Sequence, residues 1–404
     1  MSETSVRRLE PLASDAAVLG ALLGGGALTR SQICTATGLS RPTVVDVLAR
    51  LSALAMTDTE TRPLGLAGRN PELISLSQVR AVGFAADVGG SKIVAALVDF
   101  AGRVLAERVV GTCAEAEQLA VQLGDLRRDL AREASVPLRS VVTAVVGLPG
   151  VVAADGRIAH GENISGLDSR DMRALLRDHL KCPVAIENDV NLAGVGELDR
   201  DAADNDGTYV LISVGTGIGM AIVHEGRVIR GATGRAGEIA FLPLSGDLAD
   251  PLVRSHGATE MTVSGPALER TYAGRSRPEP AEKILELAAS GDPVASTVLA
   301  GFANDLARVI LSVATVLDPD RIVLGGGLGS NPLLLGPVNE ALALISPFPV
   351  EVRVSALGNR SGVCGAMALA RNEVRRIIAD WLTGGTTGSV RSHTGRSTRS
   401  GKGN

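Results

Sequence analysis

Apolar positions return every three or four residues from Asp15 to Leu23, where Ala16, Leu19, Leu22 and Leu23 form one stripe. The same spacing runs from Arg41 to Leu54, with Val44, Val47, Leu48 and Leu51 inward. Both stretches are expected to be helices. Between them, Thr29 followed three residues later by Gln32 has the spacing of a capping box, which opens a short helix from Arg30 to Thr37. Gly38-Leu39 then makes a tight turn and Ser40 caps the third helix. From Met56 to Leu76 the pattern becomes a β-hairpin, with Gly65 and Gly68-Arg69-Asn70-Pro71 at the tip and Glu72 to Leu76 as the return strand.

Beyond Ser77, apolar strands alternate with amphipathic helices as far as Trp381 and Leu382. Two segments repeat one plan. Ala81 to Asp87 runs through Val-Gly-Gly-Ser-Lys92 into Ile93 to Phe100 and a Gly102-Arg103 turn. Thr208 to Val214 runs through Gly215-Thr-Gly-Ile-Gly219 into Met220 to His224 and a Gly226-Arg227 turn. Each is a strand, a glycine loop, a strand and a Gly-Arg turn, with helices such as Glu115 to Ser135 and Pro293 to Leu317 between. The expected architecture is α/β, a duplicated unit whose two lobes face a cleft. The boundaries read as a helical and hairpin domain over 12–77, a first lobe over 80–200, a second over 201–382 with a closing helix, and a tail over 384–404.

Composition narrows the function classes. The 404 residues suffice for two or three domains, and 45% hydrophobic residues supply a core. With 1 Trp, 2 Tyr and 5 Phe, the chain is poorly equipped to stack single-stranded bases, and a net charge of −4 gives no general attraction to nucleic acid. Cys34, Cys113, Cys182 and Cys364 lack metal or disulfide spacing, which points to free thiols in a reducing, cytoplasmic compartment. The first residues carry no apolar leader, and no apolar run approaches the roughly 18 residues of a membrane span. From Gly384 onward the only charges are Arg391, Arg396, Arg399 and Lys402, so the tail is expected to be solvated and without a core.

A short helix, a glycine turn and a longer helix is the helix-turn-helix plan, and the following hairpin makes it a winged one. In that plan the third helix enters the major groove with Ser40, Arg41, Thr43 and Val44 at its leading end, while Arg69 on the hairpin tip reaches a minor groove. Asp46 on the same helix weakens the footprint. Eight Arg against seven acids over residues 1–80 leave this segment almost uncharged.

The glycine loops point to different chemistry. Gly89, Gly90, Ser91 and Lys92 form one backbone cradle suited to phosphate, beside Asp87, which could hold Mg²⁺ through water. Gly215, Thr216 and Gly217 form another, and Gly325-Gly326 end a strand where a nucleoside could lie on bare backbone. Between the loops lies Glu187-Asn188-Asp189-Val-Asn191, at a strand end entering a helix. Asp189 there suits a general base acting on a hydroxyl, and Asn188 suits neighbouring hydroxyls, while both residue types also cap helices. Asn163 and Glu238 add exposed polar groups.

These motifs together resemble the ROK family of repressors and sugar kinases, in particular its winged-helix regulators of the xylose-repressor and N-acetylglucosamine-repressor type. Asp87 to Lys92 looks like the family's first phosphate motif, Gly147-Leu-Pro-Gly150 its Gly-x-Pro-Gly turn, Gly215 to Gly219 its second phosphate motif, and Gly237-Glu238-Ile239 the start of its Gly-Glu-Ile-Gly-His segment. The resemblance implies a two-lobed, actin-like and ribonuclease-H-like fold. It also implies a sugar site of Asn163, Asn188, Asp189, Glu238 and Glu260, with Asp189 as catalytic base in an active kinase, which would use ATP and Mg²⁺. Departures follow. Phe241 stands where the family's zinc-binding His lies, and Pro251 to Glu260 has no Cys, so His256 cannot complete a zinc site and none is expected. Val152-Ala153 replaces an Asp common after the Pro-Gly turn. Met220 and Ala221 replace glycines and are expected to crowd a γ-phosphate. The expected function is a sugar-responsive regulator, most simply a repressor, acting as a homodimer on a two-fold operator with a sugar or sugar phosphate as effector. The alternatives are an ATP-dependent hexose kinase with an accessory winged helix and a ligand-binding oligomer without DNA contact.

Overall fold

The computed structural model describes residues 13–53, 56–61, 72–77, 81–153, 156–159, 164–200, 207–244 and 246–382. The hairpin tip with Arg69, the loop with Asn163 and the tail from residue 384 lie outside them. The chain divides into two compact units, 1–81 with 373–404, and 82–372.

In the smaller unit, α1 (Ala13–Gly25), β1 (Leu28–Thr29), α2 (Arg30–Thr37) and α3 (Arg41–Ala53) precede β2 (Thr57–Thr61) and β3 (Glu72–Leu76). The capping box forms as its spacing requires: Gln32 N donates to Thr29 Oγ1 at 3.3 Å, and Thr29 N donates to Gln32 Oε1 at 2.9 Å. Gly38 ends α2 with a left-handed φ of 70°, and Thr43 N reaches Ser40 Oγ at 3.4 Å to start α3. Val18, Leu19 and Leu22 of α1, Ile33 of α2, and Val44, Val47 and Leu51 of α3 are buried. Arg50 pairs with Asp15 across this core. The expected hairpin strands pair from Thr57 with Leu76 to Thr61 with Glu72. Two points differ from the sequence expectation. Leu28–Thr29 adds a third strand to β3, because the capping residue enters its helix from an extended conformation that can pair. Val44 is fully buried, in keeping with its place on the inward stripe and at odds with its place among the groove contacts, so the face of α3 that meets solvent is carried by Arg41, Val45 and Asp46.

The larger unit is a duplication. Its first half holds β4 (Val82–Val88), β5 (Lys92–Asp99), β6 (Val104–Gly111), α4 (Ala116–Glu133), β7 (Val141–Leu148), the short pair β8 (Val151–Val152) and β9 (Ile158–Ala159), α5 (Met172–Leu180), β10 (Val184–Asn188) and α6 (Asp189–Arg200). The second holds β11 (Thr208–Val214), β12 (Ile218–His224), β13 (Arg227–Val228), α7 (Pro251–His256), α8 (Gly265–Ala273), α9 (Ala281–Ala289), α10 (Pro293–Leu317), β14 (Arg321–Gly325), α11 (Gly326–Gly329), α12 (Pro332–Ile345), β15 (Val352–Val354) and α13 (Ser361–Leu382). Sheet orders are β10-β7-β4-β5-β6 and β13-β12-β11-β14-β15. In each, the first two strands form an antiparallel hairpin and the first strand runs parallel to a later one. That is one topology used twice.

On one face of the first sheet, Phe84 and Leu97 pack with Leu119 and Leu123 of α4 and Leu176 of α5. The second sheet packs likewise, Ile212 and Ile322 against Phe302 and Ile310 of α10 and Val338 of α12. Helix α10 is long and apolar enough to cross a membrane, but its apolar stripe belongs to this core. The opposite faces are covered crosswise. Leu198 of α6, at the end of the first half, packs with Leu211, Ala221 and Val223 of the second sheet. Ala366 and Ala370 of α13, at the end of the second half, pack on Ala85, Val98 and Val145 of the first. The two helices touch backbone to backbone: a Cβ on Gly365 would lie 1.8 Å from Leu192 O, and one on Gly196 would lie 2.2 Å from Ser361 O. Only glycine allows that approach.

Candidate functional site

Strand β10 runs parallel to β7 in register, Glu187 beside Gly147 and Asn188 beside Leu148. This sets the start of α6 next to the Gly147 to Gly150 turn. Asn188 is committed twice over: its Oδ1 accepts from Asn191 N at 2.9 Å, capping α6, and its Nδ2 donates to Gly150 O at 3.0 Å and to Asp189 Oδ1 at 3.1 Å. The capping role and a place in the site therefore coincide. Glu187 is the anchor behind them. It is 3% exposed, accepts from Asn191 Nδ2 at 2.9 Å and from its neighbour's N–H, Asn188 N, at 3.0 Å, and receives Arg230 Nε at 2.8 Å from the second half.

A cleft of about 430 Å³ opens here, lined by Pro149 and Gly150, by Asn188 and Asp189, by Gly215 to Gly219, and by Glu238, Phe241, Ser255, His256 and Glu260. It thus gathers Asn188, Asp189, Glu238, Glu260, Gly215, Thr216 and Gly217. Gly89 to Lys92 and Gly325-Gly326 lie outside this lining. The first loop is a tight turn closed by Gly89 N donating to Lys92 O at 2.9 Å. Gly326 follows the end of β14 with φ 79°, and Gly327 N approaches Gly215, so the third glycine run buttresses the second loop. Asn163 is outside the described residues.

Asp189 and Asp87 form an interacting pair. Burial pushes the Asp189 carboxyl up to about 6, against the N–H of Val190, which favours its charge. Burial, and then the charge of Asp189, push Asp87 up to about 7, with Lys92 opposing. Near neutral pH, Asp189 is mostly ionised and can accept a proton from a bound hydroxyl, while Asp87 is shared between its two states.

The loop that carries Glu260 is held without a metal-ligand cluster among the described residues. Thr259, 1% exposed, donates from Oγ1 to Leu242 O at 2.9 Å and from N to Ala240 O at 3.0 Å. Gly257 passes beside Ala240 with φ 92°, where a Cβ would stand 2.2 Å from Ala240 O. Glu260 Oε2 then accepts from Ile218 N at 3.2 Å, tying this loop to the Gly215 to Gly219 turn. Met220 does not crowd the cleft, contrary to its expected place. In β12 the side chains alternate, so Met220 enters the core with Ile212 and Ile222, while Gly219 and Ala221 on the other face meet Val190 and Gly194 of α6. Phe241 and His256 were read only in connection with a lost zinc site; the structure places both in the cleft wall, beside Ser255.

The sequence profile of the ROK family matches residues 84–373. The chain belongs to the ROK family. A glucokinase of Halalkalibacterium halodurans is 30% identical over 253 residues, which span 56% of this chain and 76% of that enzyme. Among solved structures, a ROK glucokinase from Streptomyces griseus in complex with glucose and AMPPNP superposes with a TM-score of 0.61 at 26% identity, covering 72% of this chain and all of the other. A ROK transcriptional regulator homologous to the Escherichia coli MLC protein superposes with a TM-score of 0.67 at 19% identity, covering 91% of this chain and 96% of that one. The larger unit therefore has the fold of the actin-like sugar kinases.

Proposed function

We propose that this protein is a sugar-responsive, DNA-binding transcriptional regulator working as a homodimer in the cytoplasm. The carrying observation is the start of α3, where Ser40 and Arg41 are exposed and Thr43 is partly so, held at the end of a capped three-helix core and followed by the β2–β3 pair. In this reading the unit is a winged helix, α3 lies in the major groove, and Arg69 contacts the minor groove. Two copies would read half-sites one helical turn, about 34–36 Å, or a multiple apart. The fold shared with the regulator extends well past the part shared with the kinases, which supports the reading. The effector, a sugar or sugar phosphate, is held by Asn163, Asn188, Asp189, Glu238 and Glu260, and it acts by binding one arrangement of the lobes more tightly than the other. Footprinting of the gene's own upstream region with full-length protein, with and without sugars, tests this. A protected two-fold site that a sugar alters is expected, and no protection at any upstream sequence refutes it.

A second reading, an ATP-dependent sugar kinase, is favoured by the Asp189 and Asp87 pair and by Met220 leaving the cleft clear. In that reading Thr216 and Gly217 of the second glycine loop, with Asp87 behind the cleft, would hold a nucleotide and Mg²⁺, which would supply phosphoryl-group transfer and charge neutralisation. Asp189 would take the proton of the attacking hydroxyl and Asn188 would orient it. ATP turnover on a hexose, lowered about 10²–10⁴-fold by Asp189→Asn, is the expected signature. Turnover that survives the substitution removes Asp189 from that role.

A further inference from the structure

The outward face of α3 is sparsely equipped for a helix that meets DNA. Arg41, Pro42, Val45, Asp46 and Ala49 are exposed, while Val44, Val47, Leu48 and Leu51 are buried. Positions 41, 45 and 49, like 42 and 46, follow one another at the spacing of one turn, so they form one continuous surface. Between the first turn and Ala49, Asp46 is the one side chain of that surface able to form a hydrogen bond. The hydroxyls of Ser40 and Thr43 share a bond of 2.7 Å with each other at the cap.

Neighbouring cations leave this carboxylate open. Arg50, four residues further along α3, has the spacing of a helix ion pair with Asp46, but it is paired with Asp15 of α1. Arg30 of α2 is paired with Glu72. Among the described residues, neither Asp46 nor Arg41, five residues before it, has an ion-pair partner. At a rise of about 1.5 Å per residue the two lie about 7.5 Å apart along the helix, well within a major groove about 12 Å wide. Arg41 can therefore take a phosphate at the groove edge while Asp46 stands over the bases.

The chemistry of the base edges decides what Asp46 can meet there. An ionised carboxylate only accepts hydrogen bonds. In the major groove guanine presents N7 and O6 and thymine presents O4, all acceptors, and adenine sets its N6 amino group beside the N7 acceptor. Cytosine presents its N4 amino group alone. A carboxylate is thus repelled by guanine and thymine, is drawn and repelled together by adenine, and finds a donor at cytosine.

We propose that Asp46 is a specificity-determining residue of the DNA-reading face, accepting a hydrogen bond from the N4 amino group of a cytosine in each operator half-site. The inference rests on the regulator reading above and assigns one base pair of its operator.

The test is selection of binding sites from a random duplex library by the full-length protein, followed by fluorescence anisotropy at one salt concentration on the selected site and its single base-pair replacements. One C·G pair per half-site is expected whose replacement weakens binding by about five- to a hundredfold. Asp46→Asn turns the acceptor into an amide suited to adenine N6 and N7, so the preference at that pair should move to A·T, and binding to unselected DNA should tighten as a charge that repels phosphate is removed. Asp46→Ala should level the preference at that pair and leave the other pairs as they are. Asp46 is exposed, and thermal unfolding of both variants checks that the fold is kept. A selected site that keeps every base preference in both variants, or one in which the pair governed by Asp46 is not C·G, overturns the proposal and leaves a DNA-binding regulator standing. A parent protein that selects no sequence overturns both.

Discussion

Replacing Thr259 with Val keeps the shape of the side chain and deletes one hydroxyl. That hydroxyl donates to Leu242 O at 2.9 Å from a residue 1% exposed. After the change, the carbonyl faces a methyl group in a space that water does not enter freely. Leaving a buried acceptor without its donor costs about 1–3 kcal/mol. At about 2–4 °C per kcal/mol for a unit of a few hundred residues, the transition of the larger unit is expected to fall by about 2–12 °C. Differential scanning calorimetry reads this directly, with Thr259→Ser, which retains the donor, as the comparison expected to fall less. Sugar affinity should drop with the Val variant, because Thr259 precedes Glu260 and fixes the turn on both sides of Phe241. If hydrogen bonds rather than a metal hold this loop, excess chelator leaves the parent transition where it is. A transition unmoved by Thr259→Val, or one lowered by chelator, refutes the account of how the loop is held.

Other consequences are equally open to measurement. Asp87 has a folded pKa of about 7 against an ordinary value of 3.8, so it favours the folded state below about pH 4 and loses that contribution as pH rises to 7. Asp87→Asn should therefore raise the unfolding temperature at pH 8 and change it little at pH 4, and equal shifts at both would contradict the assignment. Gly257→Ala meets both a φ of 92° and a contact of 2.2 Å with Ala240 O. The backbone strain alone is worth about 1–3 kcal/mol, so soluble expression should collapse, and a normal yield with an unchanged unfolding temperature would show the turn to be more yielding than drawn. Arg41→Ala should weaken operator binding across sequences and lower the salt slope by about one, measured by fluorescence anisotropy at several salt concentrations. An unchanged slope would place Arg41 off the phosphates.

The elements that local chemistry punctuates were the ones readable from sequence. Asp292 followed by Pro293 is a cap and first turn, and α10 runs from Pro293 to Leu317 as the pattern predicts. Thr29 with Gln32, and Gly38 with Ser40, fix α2 and the start of α3 in the same way. The duplicated strand, glycine loop and strand plan also reappears in sheet order. What periodicity does not carry is which sheet a helix covers. Nothing in the stripe of α6 says that Leu198 packs on the second sheet, because apolar spacing encodes a face and not a partner. The same limit explains Met220, whose type suggested crowding but whose place in the alternation of β12 turns it into the core. It explains Val44 too, a position named for DNA contact although it lies on the buried stripe of α3. In the site, Asp189, Asn188, Glu238 and Glu260 were found by motif. Phe241 was read only as a missing ligand, because its place in the wall depends on a loop folded back by Thr259.

The crosswise covering of the two sheets also bears on how the chain is made. The first sheet is complete once Asn188 has been synthesised, but its Ala85, Val98 and Val145 face is covered by Ala366 and Ala370, which emerge roughly 180 residues later. At a synthesis rate of about 5–20 residues per second, that surface waits about ten to forty seconds for its lid. The protein is thus committed to an interval in which that face of a finished sheet carries only Leu192 of α6, and its yield in the cell depends on what shields the rest until the last helix arrives.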